Sequence, residues 1–251
     1  MTLIIGHRGA RNLWTENSLE GFRRTLALGV DGVELDVHLS RDGELVVIHD
    51  PTLDRTTAGR GAVHDGSTAE LAATPLRDTP REGVPRFEEV LDVLQRGAVE
   101  LHIEIKTDVA GRAYAGLEER LLATIRQRGL ADLSIVTCFV PEILETVRRR
   151  APQQRVLGSL DRRSAELMGG IEPALDRFAA IEGCLIAIEQ GLLAATLDLC
   201  LDRIGGERLG VWVPNEAADI VRWMRQPIRQ ITTDRPDVAL AARRSPAMVQ
   251  V

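Results

Sequence analysis

Cysteine is scarce in this chain, lysine is almost absent, and no long apolar run occurs. Each shortage excludes something. The three cysteines, Cys138, Cys184 and Cys200, are an odd number, set far apart, with no C-x-x-C pair. They exclude a disulfide framework and a zinc site, and read as buried thiols in a reducing compartment. No stretch approaches the roughly 18 apolar residues of a membrane span, so none is expected. The first apolar run starts at Leu3 and meets His7 at once, which does not fit a signal peptide. The expected location is cytoplasmic. Surplus positive charge is missing as well. A net charge of −6 argues against nucleic acid as a partner, yet leaves room for a small phosphate in a local positive pocket. Lysine is the sharpest shortage: Lys106 is the only one among 31 lysines and arginines. A lysine kept where arginine is otherwise general invites a functional explanation. The oligomeric state is not legible.

At 251 residues the chain suits one large domain or two small ones. A core of that size buries roughly 70–75% of the unfolded surface and needs no staples. Strand and helix signals alternate almost to the end. Strands are expected at 3–7, 32–39, 100–105, 134–139, 155–160, 184–188, 209–213 and 228–233. Leu45–His49 is counted as an extension of the second strand, after an Arg41-Asp42-Gly43 turn. Helices are expected at 17–28, 86–95, 117–128, 141–150, 164–177, 195–204, 217–225 and 236–243. Asn17 and Glu20 have the spacing of an N-cap and its returning acid. Residues 51–85 are rich in Thr, Pro, Gly, Asp and Arg, with a short helical hint at 68–73. They read as an insertion beside the main fold, so that residues 1–251 form a single domain. Eight strands alternating with eight helices point to an α/β fold, the (β/α)₈ TIM barrel, with a doubly wound open sheet as the rival.

Polar motifs gather where apolar strands end: Gly6-His7-Arg8-Gly9, Glu34-Leu35-Asp36, His49-Asp50 and Glu104-Ile105-Lys106. Burying such groups is costly unless they pair or bind an ion. Glu34 and Asp36 lie two apart on a strand and face the same side, the interior in a barrel. Glu104 and Lys106 repeat that geometry. One carboxylate would fit an ion-pair network with Arg8 and Lys106. Three converging carboxylates repel, and a divalent cation resolves the conflict; oxygen ligation selects a hard ion, Mg²⁺ or Ca²⁺. His7 and His49, at the ends of different strands, suit a general acid and a general base. Arg8 offers a planar fork for phosphate oxygens. Gly6 and Gly9 leave room for a ligand beside the backbone. His38, His64 and His102 read as structural.

Taken in order, these segments resemble the glycerophosphodiester phosphodiesterase family. The matching stretches are GHRGA at 6–10, ENSLEGF at 16–22, DGVELDVHLSRDGELVVIHDPTLDRTT at 31–57, LHIEIK at 101–106, CFVPEIL at 138–144, VWVPN at 211–215 and TTDRPD at 232–237. The resemblance implies a (β/α)₈ barrel with its insertion after the second strand. It implies His7 and His49 as the acid–base pair, Glu34, Asp36 and Glu104 as metal ligands, and Arg8 and Lys106 as phosphate-holding groups. Phe139 and Trp212 match aromatic positions near the substrate. The implied activity is metal-dependent hydrolysis of small-molecule phosphodiesters, deacylated phospholipid head groups, to glycerol 3-phosphate and an alcohol. The rivals are a lyase that stops at a cyclic phosphate and a non-catalytic phosphate-binding barrel. The chain departs from the family at Thr15, where proline is usual, at Trp212-Val213-Pro214-Asn215, at Gln226–Gln230 and at Glu189.

Overall fold

In a computed structural model, residues 1–245 are described. Nine strands form the sheet: β1 Leu3–Gly6, β2 Gly32–Leu39, β3 Leu45–Val47, β4 Glu100–Ile105, β5 Ser134–Cys138, β6 Arg155–Leu160, β7 Leu185–Glu189, β8 Leu209–Trp212 and β9 Gln230–Thr233. Eight of them, all except β3, run parallel and close into a barrel through pairings of β1 with both β2 and β9. The helices are α1 Leu19–Ala27, α2 Thr68–Ala72, α3 Phe87–Leu94, α4 Leu117–Gln127, α5 Pro141–Arg150, α6 Arg162–Leu167, α7 Ile171–Ala179, α8 Gln190–Ile204, α9 Ala217–Met224 and α10 Pro236–Arg244. This is the expected (β/α)₈ barrel, with one extra strand, a short extra helix in the insertion and one helix split in two.

Alternation along each strand divides the residues between two environments. On β2, Val33, Leu35, Val37 and Leu39 join the apolar layer beneath the helices, together with Phe22, Leu91 and Leu121. Glu34, Asp36 and His38 fall on the other face, the barrel interior. On β4, Leu101, Ile103 and Ile105 belong to the outer layer, and Glu100, His102 and Glu104 to the interior. The interior closes lower down on Ile135, Leu157 and Ala187.

Several local expectations change. Leu45–His49 does not extend the second strand. It turns back as β3, antiparallel to β2, with Val37 opposite Val47. Gly43, at φ +78°, makes the turn. Ser18, not Asn17, caps α1 by accepting from Gly21 N at 2.9 Å; Asn17 instead reaches the barrel interior. Gly169 and Gly170, at φ +94° and +116°, break the expected 164–177 helix into α6 and α7. The expected helix at 195–204 begins at Gln190, because Glu189 accepts from Gly191 N at 2.8 Å and Leu192 N at 3.0 Å and so caps α8. Residues 51–85 hold α2, a 3₁₀ turn at Val63–Asp65 and isolated bridges such as Thr52 with Ala62. Their apolar side chains Leu53, Val63, Leu71, Leu76 and Val84 cluster on Val46 and Ile48. All three cysteines are free and buried.

Candidate active site

At the carboxyl mouth of the barrel, β2 and β4 pair with Asp36 opposite Glu104. That register brings Glu34, Asp36 and Glu104 together, with one carboxylate oxygen of each within 4.8 Å of the others. Lys106 Nζ stands 2.5 Å from Glu104 Oε1 and 3.5 Å from Asp36 Oδ1. Arg8 Nε lies 3.4 Å from Asp36 Oδ2, and Asn17 Nδ2 donates to that oxygen at 2.8 Å. Arg8 N donates to Glu34 Oε2 at 2.9 Å. Glu34 Oε1 and Asp36 Oδ1 remain buried with no hydrogen-bond partner.

Burial first, then the charges of Asp36 and Glu104, push the Glu34 carboxyl well above the usual range. Burial would raise Asp36 too, but Lys106 and Arg8 hold it far below. The cluster therefore has more negative charge than its two cations settle. Two orphaned oxygens on an all-carboxylate set fit a hard divalent cation, which would accept both lone pairs and lower the Glu34 proton affinity.

His7 and His49 flank this cluster. Arg8, Gly9 and Ala10 follow β1 in the left-handed region, at φ 49°, 71° and 64°, so the chain turns sharply inward after Gly6. Gly6 and Gly9 do not make room for a ligand. A Cβ on Gly6 would meet Thr25 Cγ2 at 2.6 Å, and one on Gly9 would meet Phe22 at 3.0 Å; both serve the close approach of α1. His49 owes its place to the β2–β3 hairpin. The return carries Ile48 N to Asp36 O at 3.2 Å and so sets His49 over the acidic strand. His38 Nε2 lies 3.1 Å from His49 O and its Nδ1 2.9 Å from the Tyr114 hydroxyl, so His38 holds the backbone.

Each histidine has a carboxylate behind it. His7 Nδ1 is 2.6 Å from Asp234 Oδ1, and His49 Nδ1 is 2.6 Å from Asp50 Oδ1. Burial would raise the Asp234 carboxyl, but the His7 contact and then Arg11 bring it down to about 2; burial opposes likewise at Asp50, which Arg55 and His49 hold still lower. Ionised carboxylates only accept, so Nδ1 carries the proton in both rings and Nε2 is left as the free nitrogen. His7 Nε2 faces Glu34 Oε2 at 3.8 Å. Desolvation lowers both imidazoles below their ordinary value.

Sequence reasoning placed Asp50 in a polar motif but gave no role to it or to Asp234, Asn215, Arg55, Glu16 or Arg11. Asn215 Nδ2 donates to Asp234 Oδ2 at 2.8 Å, and Arg11 Nε sits 2.9 Å from the same oxygen. Asn215, Asp234, Glu16 and Arg11 lie within or beside the segments VWVPN, TTDRPD, ENSLEGF and GHRGA, and Asp50 and Arg55 within the segment at 31–57, which is the signal that could have found them. Of the departures from the family pattern, Thr15 makes a 2.5 Å hydroxyl contact with Thr79 of the insertion, and Glu189 is a helix cap.

A cavity of about 220 Å³ opens over the cluster. His7, Arg8, Glu34, His49 and Glu104 line it, and Phe139 and Trp212 stand in the same wall, edge to face at 5.6 Å. A wider cavity of about 600 Å³ lies outside, between residues 11–24 and the insertion; it contains neither the carboxylate cluster nor a histidine.

A (β/α)₈ barrel with this mouth falls among the barrel enzymes. The chain belongs to the Glycerophosphoryl diester phosphodiesterase family, whose pattern it matches over residues 7–238. It is 30% identical to a glycerophosphodiester phosphodiesterase of Caldanaerobacter subterraneus subsp. tengcongensis over 244 residues, 95% of this chain and 96% of that one. A solved glycerophosphodiester phosphodiesterase from Agrobacterium tumefaciens superposes with a TM-score of 0.76 at 27% identity, covering 96% of this chain and all of that one. An Oleispira antarctica phosphodiesterase, solved with its product sn-glycerol-3-phosphate, shares the fold at a TM-score of 0.83 and 21% identity, covering 98% of each chain. Among the described residues, no helix is long and apolar enough to cross a membrane.

Proposed function

We propose that this chain hydrolyses glycerophosphodiesters, adding water across a P–O bond to give glycerol 3-phosphate and an alcohol. The observation that carries the reading is the three-carboxylate cluster with two orphaned oxygens, set between two carboxylate-backed histidines. Glu34, Asp36 and Glu104 would hold a divalent cation, Mg²⁺ or Ca²⁺. When bound, such an ion supplies charge withdrawal from the phosphate oxygens. Arg8 and Lys106 stabilise the charge that builds on those oxygens. Of His7 and His49, one takes the proton of the attacking hydroxyl at its free Nε2, and the other, protonated there, delivers a proton to the leaving alcohol. Asp234 and Asp50 keep both rings in the required tautomer. Phe139 and Trp212 flank the organic part of the diester. The substrate is a small soluble molecule, and a cytoplasmic site of action fits its deacylated character.

The test is a panel of glycerophosphodiesters with Mg²⁺, Ca²⁺ or a chelator, followed by phosphorus NMR. Metal-dependent appearance of glycerol 3-phosphate is expected. A cyclic phosphate as final product would replace the hydrolase with a lyase. Equal turnover with and without chelator would remove the metal from the reading.

A further inference from the structure

Arg55 enters the active-site mouth from the insertion and grips two carboxylates at once. Its Nε donates to Asp50 Oδ2 at 2.7 Å and its Nη2 to Asp50 Oδ1 at 2.9 Å. Nη2 also reaches Glu16 Oε1 at 2.8 Å, and Nη1 reaches Glu16 Oε2 at 2.8 Å. All three guanidinium nitrogens are used, in a pattern that only a planar fork can satisfy. Asp50 in turn holds His49 Nδ1 at 2.6 Å, and Glu16 Oε1 lies 3.3 Å from Arg8 Nη1. Arg8 continues to Asp36, Asp36 to Lys106, and Lys106 to Glu104. An unbroken chain of alternating charge thus runs from His49 to the carboxylate cluster, with Arg55 joining its two branches.

We propose that Arg55 is a positioning residue, which fixes His49 and Arg8 relative to each other by clamping Asp50 and Glu16 in one guanidinium fork. The proposal rests on the acid–base and phosphate roles given above to His49 and Arg8. The Arg55 side chain is 46% exposed, so its ion pairs add little to stability. Its geometry is what matters: the insertion supplies one rigid link between a histidine on the β2–β3 return and an arginine on the turn after β1.

The experiment uses the whole 251-residue chain with sn-glycero-3-phosphoethanolamine. Arg55→Lys keeps the charge but cannot reproduce the four contacts. It is expected to lower kcat and raise KM, with kcat/KM down roughly 10²-fold, the scale of a misplaced reacting group. Its thermal midpoint should stay near wild type. Glu16→Gln, which loosens only the Arg8 branch, should act mainly on KM; Asp50→Asn, which loosens only the His49 branch, should act mainly on kcat. Arg41→Met removes another attachment of the insertion, to Glu70 and Asp65 O, and should leave both parameters unchanged. Nitrogen-15 spectra of the histidine rings give a readout without turnover: Arg55→Lys should move the His49 Nδ1 signal and leave that of His7 in place. Wild-type kinetics and an undisturbed His49 signal in Arg55→Lys would overturn the proposal. Equal losses in Arg41→Met and Arg55→Lys would also overturn it, because docking of the insertion would then suffice. A wild-type protein inactive on these diesters would overturn the functional reading together with this one.

Discussion

Lys106 Nζ lies 2.5 Å from Glu104 Oε1, two residues along the same chain segment and on the same interior side. Burial opposes the charge of this ammonium, but Glu104 and Asp36 raise its proton affinity well above the ordinary value, so it stays protonated. It is a compact charge wedged between two members of the carboxylate cluster. A guanidinium is wider and planar and does not fit that wedge without moving Glu104. Lys106→Arg should keep the fold and lose most kcat/KM on glycerophosphodiesters. Near-wild-type turnover beside an unchanged thermal melt would show that Lys106 is only a counter-ion.

The carboxylates themselves should separate stability from activity. Glu34→Gln removes a crowded, proton-hungry acid, so the metal-free protein should melt no lower than wild type. The same change should abolish the rise in melting temperature on adding Mg²⁺ or Ca²⁺, because ligand-linked stabilisation needs the site. Glu104→Gln should likewise lose the metal-induced rise. A Glu104→Gln protein with full activity and a full metal-induced shift would remove Glu104 from the ligand set.

His7→Ala and His49→Ala should each lose at least the roughly 10²–10⁴-fold typical of acid–base catalysis. The double variant should be little worse than the poorer single one, since two groups serving one step act as a unit. Multiplicative losses would place the two rings in separate steps.

Asp234→Asn tests the tautomer. Asn215 Nδ2 and Arg11 Nε both donate at the Oδ2 position, so the amide oxygen is drawn there and its NH2 faces His7 Nδ1; the proton then shifts to Nε2 and the free nitrogen on the cluster side is no longer assured. Asn215 and Arg11 still surround the site, so the fold should survive. The loss should appear in kcat, by at least about tenfold, and the rate–pH profile should lose its limb from His7. An unaltered profile would leave Asp234 a structural anchor.

His38 gives a pH test of stability. Burial lowers its pKa to about 4, below the ordinary 6.5 of the unfolded chain. As pH falls, the unfolded chain therefore takes up this proton first, near 6.5, and the folded one only near 4. Stability from the neutral, buried ring is full above 6.5 and drains away between 6.5 and 4. At ~1.4 kcal/mol per pKa unit the wild type should lose up to about 3 kcal/mol more than His38→Gln over that interval. Chemical denaturation at a series of pH values measures it; parallel stability curves would mean that His38 does not carry this linkage.

The barrel was legible because its strands alternate. Val33, Leu35 and Val37 against Glu34 and Asp36 declare both a strand and its two faces, and eight such units leave few topologies. The acidic cluster was legible for the same reason: residues two apart on one strand, and their counterparts on the next, must share a side. The hairpin at Leu45–Val47 was not, because an apolar run after a turn has the same pattern whether the chain continues or returns. The polar glycine motif misled in another way: Gly6 and Gly9 look open in sequence, while Thr25 and Phe22 fill the space beside them.

What the sequence determined by itself is therefore periodic: the strands, their inward carboxylates, and the histidines and cations at strand ends. Only the folded chain decided who stands behind whom. Asp234 reaches His7 across 227 positions of sequence, and Arg55 joins Glu16 across 39. Such pairings have no period. They arise from barrel closure, which brings the end of β9 beside the end of β1, and from the β2–β3 return, which swings the insertion over the mouth. Hydrogen bonds fall off within a few tenths of an ångström, so the partner that sets the His7 tautomer was fixed by tertiary geometry alone, whereas the His49 partner, Asp50, is its neighbour in sequence.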